Sequence, residues 1–326
     1  MQVMEKELTG KYNFSIGKIR PLKNYYIMET DEGDRVLKRM KFSPKRLMFI
    51  HGAKEHLHEN GFENIDRYIC GKDGYPFAVV NGEIYTVTEG ARGRECDFNK
   101  REDVIRASKT LAMLHKASKG YEAPSESLAR DELGKMPVYL QKRLEELKRT
   151  KRMAQRERGK FDYQVLEYID YFYGLGEDAV NKIYNSEYSG LVKKSRGEKS
   201  FCHNDYSHCN IICDEYKTSI INFDFCSYEL KIYDITNLLR RKMRKCNWDT
   251  NEAKVIIEAY TSVEPISQEE FYIMKAMLQF PQKFWRVVNR YYNSRRTKRG
   301  KNFIFRFNES IGEIMYLEKF LKEFEL

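Results

Sequence analysis

Phe201-Cys202-His203-Asn204-Asp205-Tyr206-Ser207-His208-Cys209-Asn210-Ile211-Ile212 decides how this chain of 326 residues is read. It carries His203-x-Asp205-x-x-x-x-Asn210, and Ile220-Ile221-Asn222-Phe223-Asp224-Phe225 follows shortly after. The polar run up to Asn210 predicts a loop, and apolar Ile211-Ile212-Cys213 predicts a strand. Asp214 to Thr218 then predicts a turn, and Ser219 to Phe223 the returning strand. Such a hairpin leaves Asn210 and Asp224 just outside paired strand ends, and so close together. An amide oxygen and a carboxylate beside a further carboxylate, Asp205, suit a hard divalent cation that itself holds phosphate groups.

Further segments fall into order around this stretch. They are Leu37-Lys38-Arg39, Gly93-Arg94-Glu95-Cys96-Asp97-Phe98, Leu111-Ala112-Met113-Leu114-His115-Lys116-Ala117-Ser118-Lys119-Gly120, Tyr233-Asp234-Ile235 and Phe280-Pro281-Gln282-Lys283-Phe284-Trp285. Together they resemble the CotS-type spore coat proteins, within the aminoglycoside phosphotransferase and choline kinase branch of the protein-kinase-like superfamily. The resemblance implies an α+β fold that is bilobal and protein-kinase-like. A small β-rich nucleotide-binding lobe would occupy residues 1–89, and a larger helical lobe with the catalytic loop and acceptor region residues 90–326.

The same resemblance implies ATP and Mg²⁺ as cofactors. Asp205 takes the place of the base that accepts a hydroxyl proton, and His203 braces its loop. Asn210 and Asp224 would be the metal ligands, and both would contact the nucleotide through it. Lys38 would meet the α- and β-phosphates. Glu55 would pair with Lys38, and Glu89 opens the hinge whose backbone groups would meet an adenine ring. Asp234 matches a residue that braces the catalytic loop. Two function classes are compatible with this pattern. One is a phosphotransferase acting on a hydroxyl of an unidentified acceptor. The other is a spore coat component that keeps the fold as an assembly element with little turnover. The implied partners are a nucleotide, other spore coat proteins, or an anionic or hydroxylated small molecule or glycan. The implied location is the mother-cell cytoplasm and then the coat.

Outward from these motifs, Tyr12 to Ile19, Asn24 to Thr30 and Arg35 to Arg39 predict strands, which puts Lys38 on the third. A lone Gly17 stands where protein kinases carry a glycine-rich loop. Pro44 to Asn60 predicts a helix in which His51 occupies the place expected for the acid that pairs with Lys38. Glu55 is the nearest carboxylate. Asn81-Gly82 between Phe77 to Val80 and Glu83 to Thr88 predicts a two-residue hairpin. The glycines of Glu89-Gly90-Ala91-Arg92-Gly93 break the strand pattern. Asp103 to Ser118 has helical spacing through Val104, Ala107, Leu111 and Leu114, with His115 expected as a packed helix residue.

Beyond Gly120 the pattern is helical: Pro137 to Arg158, Tyr163 to Tyr173, Glu177 to Tyr184, Glu252 to Tyr260, Glu269 to Leu278, Phe284 to Tyr292 and Ser310 to Phe324. Tyr163, Tyr168, Tyr171, Phe172 and Tyr188 are either a core face or the wall of an acceptor pocket.

Composition sets the outer bounds. Hydrophobic residues make up 41% and charged residues 33%, as in globular proteins. No apolar run is long enough for a membrane span, and the first residues lack the apolar core of a secretion signal. The seven cysteines are odd in number and dispersed, which fits a reduced compartment. The net charge of +10 gathers in Lys142 to Lys160, Arg240 to Lys245 and Arg295 to Lys301. No nucleic-acid motif accompanies these runs, so they read as solvated helix faces or as a surface for an acidic or phosphorylated partner. Cys202, His203, His208, Cys209, Cys213 and Cys226 offer a rival reading as zinc ligands, against which Cys209-x-x-x-Cys213 lacks knuckle spacing.

Overall fold

The structure, a computed structural model, describes residues 2–157, 159–294 and 300–325. Arg158 and the basic residues Arg295, Arg296, Lys298 and Arg299 lie outside the described residues. The chain forms two compact units. One comprises Met1–Asp131 and Glu198–Tyr228, the other Glu132–Gly197 and Glu229–Leu326.

In the first unit, a short helix α1 (Gln2–Leu8) precedes β1 (Ile16–Leu22), β2 (Tyr25–Thr30) and β3 (Arg35–Met40). After α2 (Pro44–Glu59) come β4 (Ala78–Val80) and β5 (Glu83–Thr88), giving an antiparallel sheet of order β1-β2-β3-β5-β4. The strand period of two sends Ile19, Met28, Leu37, Tyr85 and Val87 to one buried face. Leu8 and the stacked pair Tyr12–Phe14, with ring centroids 5.2 Å apart, belong to the same core. Tyr12 and Phe14 were expected in a strand, but their rings are committed to this core and pairing begins only at Ile16. Gly17 lies inside β1 at a register shift, and the turn into β2 is Lys23-Asn24, with Leu22 paired to Tyr25. The segment around Gly17, where a phosphate loop was expected, is thus strand, and the tight β1–β2 turn carries no glycine. At the other edge Asn81 and Gly82 both have positive φ, 50° and 75°, as a primed hairpin turn requires.

Helix α2 starts where the Ser43 side chain accepts from Arg46 N, with Pro44 pre-set in the first turn. It buries Leu47, Phe49, Ile50, Ala53 and Leu57, and ends at Asn60 before Gly61 at φ 79°. Residues 89–93 lead into β6 (Arg94–Glu95) and α3 (Arg101–Ala117), whose buried Val104, Ala107, Leu111 and Leu114 follow the predicted spacing. His115 is buried in its last turn. Later segments add β7 (Phe201–Cys202), β8 (Ile211–Cys213), β9 (Thr218–Ile220) and β10 (Ser227–Tyr228), forming a β6-β8-β9 sheet and a β7-β10 pair.

The second unit is helical. It contains α4 (Met136–Glu157), α5 (Lys160–Tyr184), α6 (Tyr188–Glu198), α7 (Ile232–Met243) and α8 (Thr250–Thr261). It continues with α9 (Gln268–Gln279), α10 (Gln282–Asn293), α11 (Lys301–Gly312) and α12 (Ile314–Glu323). The segments expected as separate helices around Gly174 and Gly176 are one helix, α5. Gly176 is there for packing: a Cβ would come within 2.8 Å of Leu144 Cδ2 and 3.2 Å of Pro281 Cδ. The terminal segment, expected as one helix, breaks at Gly312–Glu313 into α11 and α12. Among the described residues no helix is long and apolar enough to cross a membrane.

Candidate active site

β3 alternates, so Leu37 enters the core while Lys38 points to the other face. There Lys38 Nζ donates to Asn222 Oδ1 at 2.6 Å and to Asp224 Oδ2 at 2.7 Å. Asn222 Nδ2 in turn donates to Asn210 Oδ1 at 3.2 Å, and Asn210 Nδ2 donates to both the backbone oxygen and Oδ2 of Asp205 at 2.9 Å. A single relay of polar contacts therefore joins Lys38, Asn222, Asn210, Asp224 and Asp205. Lys38 keeps 34% of its side chain exposed and Asp224 16%, so both are reachable from solvent.

The local backbone explains this convergence. β8 pairs with β9 through Ile211↔Ile220, Ile212↔Ser219 and Cys213↔Thr218, which brings Asn210 beside Ile221. The returning strand was expected to run to Phe223 but stops at Ile220. Asn222 takes the left-handed conformation, φ 68° and ψ 61°, a region that Asn tolerates. The following single turn Phe223–Phe225 then aims Asp224 at Lys38. Asn204 is also left-handed, φ 64°, and donates to Phe225 O at 3.2 Å and to the Ser227 hydroxyl.

His203 is fully buried and braces the loop. Its Nδ1 accepts from Asp205 N at 3.2 Å and its Nε2 lies 3.0 Å from Ile221 O, so both ring nitrogens are engaged. That pattern removes His203 from the zinc reading. Cys209 is exposed, whereas Cys213 faces Cys96. Cys226 is buried against Arg46, whose guanidinium donates to Asp224 O at 3.1 Å and to Cys226 O. Burial pushes the Cys226 thiol up to about 11, as for a core thiol.

Two residues that sequence reasoning passed over support Asn222. Asp66 Oδ2 accepts from Asn222 N at 3.0 Å, and Asp66 Oδ1 lies 2.9 Å from Lys54 Nζ. Lys54 is 1% exposed, donates to Asp66 O at 2.7 Å, and sits 3.8 Å from the centre of the Tyr68 ring. A lysine between Ile50 and Leu57, on the apolar stripe of α2, was the available signal. Glu55, expected beside Lys38, is instead held by a two-pronged contact with Arg67, with His51 Nδ1 at 3.7 Å.

Glu89, Gly90, Ala91 and Arg92 line an open concavity of about 1220 Å³, together with Val36 and Asp66. Both glycines of this stretch, Gly90 and Gly93, are sterically required. Gly90 has φ 77°, and a Cβ would meet Val36 Cγ2 at 2.9 Å. Gly93 has φ 128°, and a Cβ would lie 2.5 Å from Cys213 O. Arg94 grips Asp103 with two bonds, 2.5 and 2.8 Å, holding that carboxyl below the usual carboxylate range. In the helical unit the five aromatic candidates part company. Phe172 stacks on Phe284 at 4.0 Å and Tyr188 is buried, whereas Tyr163 is 61% exposed.

The chain is similar to known proteins over nearly its whole length. Residues 5–324 match the family model described as "Spore coat putative kinase YutH". Spore coat protein S of Bacillus subtilis is 26% identical over 293 residues, covering 88% of this chain and 83% of that protein. The endospore coat-associated protein YutH of the same organism is 23% identical, covering 78% and 72%. Among solved structures, an aminoglycoside phosphotransferase from Alicyclobacillus acidocaldarius has a TM-score of 0.86 at 21% identity, covering 96% and 93% of the two chains. Spectinomycin phosphotransferase APH(9)-Ia has a TM-score of 0.65 at 14% identity, covering 100% and 98%. These likenesses give the chain a protein-kinase-like α+β fold of the phosphotransferase type, as expected from the motifs, and the chain belongs to the YutH family of kinase-like spore coat proteins.

Proposed function

We propose that this chain is an ATP- and Mg²⁺-dependent phosphotransferase that acts on a hydroxyl group and works at the spore coat. The relay from Lys38 through Asn222 and Asn210 to Asp205, with Asp224 on the lysine, is the observation that carries the reading. The donor set fits the cofactors: Asn210 and Asp224 offer hard oxygens for Mg²⁺, and Lys38 a cation for nucleotide phosphates. Bound Mg²⁺ would neutralise charge on the β- and γ-phosphates. Asn210 orients the Asp205 carboxylate, the group to accept the acceptor's proton, and His203 holds the loop under it. The concavity at Glu89 to Arg92 has room for a nucleoside. Residues 1–89 would then serve as the nucleotide lobe, and residues 90–326 would carry the catalytic loop and the acceptor region. The names of the coat relatives support a location in the coat.

A second reading, a coat element with little turnover, is favoured by the glycine-free Lys23-Asn24 hairpin, which supplies no run of flexible amides for phosphates. Calorimetric titration with ATP, with Mg²⁺ and with chelator, tests the first reading. Mg²⁺ should strengthen ATP binding, and Asp224→Asn should weaken that gain while leaving the fold intact. Equal affinity in Mg²⁺ and in chelator would overturn the proposal.

A further inference from the structure

The basic segment Arg240 to Lys245 was expected as a solvated helix face or an acidic-partner surface, and in the helical unit it does something more specific. Tyr233, Asn237, Arg240, Arg241 and Arg244 recur at helical spacing along and just past α7, so they share one side of it. Arg143 from α4, and Gln282 with Arg286 from α10, meet them around a cavity of about 210 Å³. Among the described residues, five of the twelve that line it are arginines and none is acidic.

Two of the guanidiniums, Arg240 and Arg143, are held in place. Arg240 is half-buried and donates to Asn237 Oδ1 at 3.1 Å and to Met277 O. Arg143 donates to Gln282 Oε1 at 2.8 Å and lies 4.6 Å from the Trp285 ring centre. Of the carboxylates close by, Glu146 is committed elsewhere and Glu313 is shared between Lys283 and Arg244. Glu146 accepts from Trp285 Nε1 at 2.7 Å and Asn289 Nδ2 at 3.1 Å. Glu313 pairs with Lys283 and stands 3.6 Å from Arg244 Nε, which is buried without a hydrogen-bond acceptor. By contrast, the neighbouring Lys242 is a buried structural cation on Glu252 at 2.8 Å.

Arginine stays charged in proteins, so gathering these groups costs mutual repulsion and desolvation. Both effects lower the pKa of Arg143, Arg240 and Arg244, burial first; Arg240 falls to about 9. A bound oxyanion removes that cost and meets guanidinium forks in the geometry they favour. We propose that this cavity is a binding site for a small phosphate-bearing anion, held by Arg143, Arg240, Arg244 and Arg286. At about 210 Å³ it lies below the roughly 300–1,000 Å³ of pockets for whole drug-sized ligands. A phosphate or diphosphate group fits that space, and a complete nucleotide does not. The proposal rests on the helical unit alone and does not depend on the transferase reading.

The test is calorimetric titration of the full chain with inorganic phosphate and pyrophosphate, in chelator and at constant ionic strength set with chloride. One site per chain is expected. Arg286→Gln, at an exposed position, and Arg143→Gln should each weaken binding about tenfold, the effect of losing one charge-assisted contact. Lys254→Gln, an exposed cation on α8 away from the cavity, should not. Lys38→Ala separates this site from the nucleotide site and should leave phosphate binding unchanged. Binding that is lost in Lys38→Ala but retained in Arg286→Gln and Arg143→Gln would overturn the proposal. So would the absence of any saturable heat, or equal losses in all the cation variants. Thermal melting checks that each variant is folded. Should Arg143→Gln unfold, Arg286→Gln alone decides.

Discussion

Lys54→Met isolates the support beneath Asn222. Methionine keeps the length and apolar stem of the side chain, so little packing is lost and the change is chiefly electrostatic. Lys54 is 1% exposed and its partner Asp66 15%, a pair almost wholly out of water. Breaking a buried pair from one side costs roughly 3–5 kcal/mol, because the remaining charge is left uncompensated. Asp66 keeps some access to water, which moves the expectation to the lower end, about 3 kcal/mol. The ammonium also faces the Tyr68 ring at 3.8 Å, a contact worth up to about 2 kcal/mol when desolvated, although it overlaps the first figure.

Urea unfolding of the full chain, followed by circular dichroism, reads this loss. The double variant Lys54→Met/Asp66→Asn removes both charges and should recover a large part of it, leaving a coupling well above the scatter of independent sites. ATP binding provides a second readout. Asp66 holds the Asn222 amide at 3.0 Å, and Asn222 holds Lys38, so nucleotide affinity should fall in Lys54→Met even where the chain is fully folded. A loss of stability below about 1 kcal/mol, the cost of an exposed pair, would refute the assignment of Lys54 and Asp66 as a buried support.

Gly93→Ala should destabilise by at least about 1–3 kcal/mol, the usual cost of a side chain at such a φ, and more because its Cβ would collide with Cys213 O; an unchanged urea midpoint would contradict the close approach. Burial holds the folded His51 imidazole below its ordinary 6.5, with Glu55 opposing. The unfolded chain then binds more protons as pH falls below about 6.5, so this residue lowers stability toward acid and has no such effect above neutrality. His51→Gln should flatten the stability profile in that acid range, and parallel profiles would remove the residue from it. Asp205→Ala should keep ATP affinity while lowering phosphate transfer by roughly a hundredfold or more, as for loss of a general base. Transfer at the unmodified rate, measured with labelled ATP and coat extract, would exclude Asp205 from the chemistry.

What the sequence made readable shares one property: the residues concerned lie close along the chain. Asn210 and Asp224 flank a short hairpin, whose pairing brings Asn210 beside Ile221 while the turn after Asn222 places Asp224, and Asn81-Gly82 announces its own turn. Lys38 was found through its neighbours in the strand order. In the Lys54–Asp66 pair only Lys54 carries a sequence signal, its place on the apolar stripe of α2, and packing against Tyr68 and Phe223 is what identifies it as structural. Glu55 failed as a partner for Lys38 for the converse reason: Arg67, distant in pattern but near in space, binds it first. Gly176 follows the same logic, since a glycine inside a helical run signals a break until Leu144 and Pro281 are known to press against it. Charge runs are the hardest case. Arg240, Arg241, Lys242 and Arg244 are nearly consecutive, yet one is a buried structural cation and three turn toward a shared cavity. Composition counts these charges equally, whereas the direction each leaves the helix decides whether it is solvated, paired in the core or turned toward a cavity.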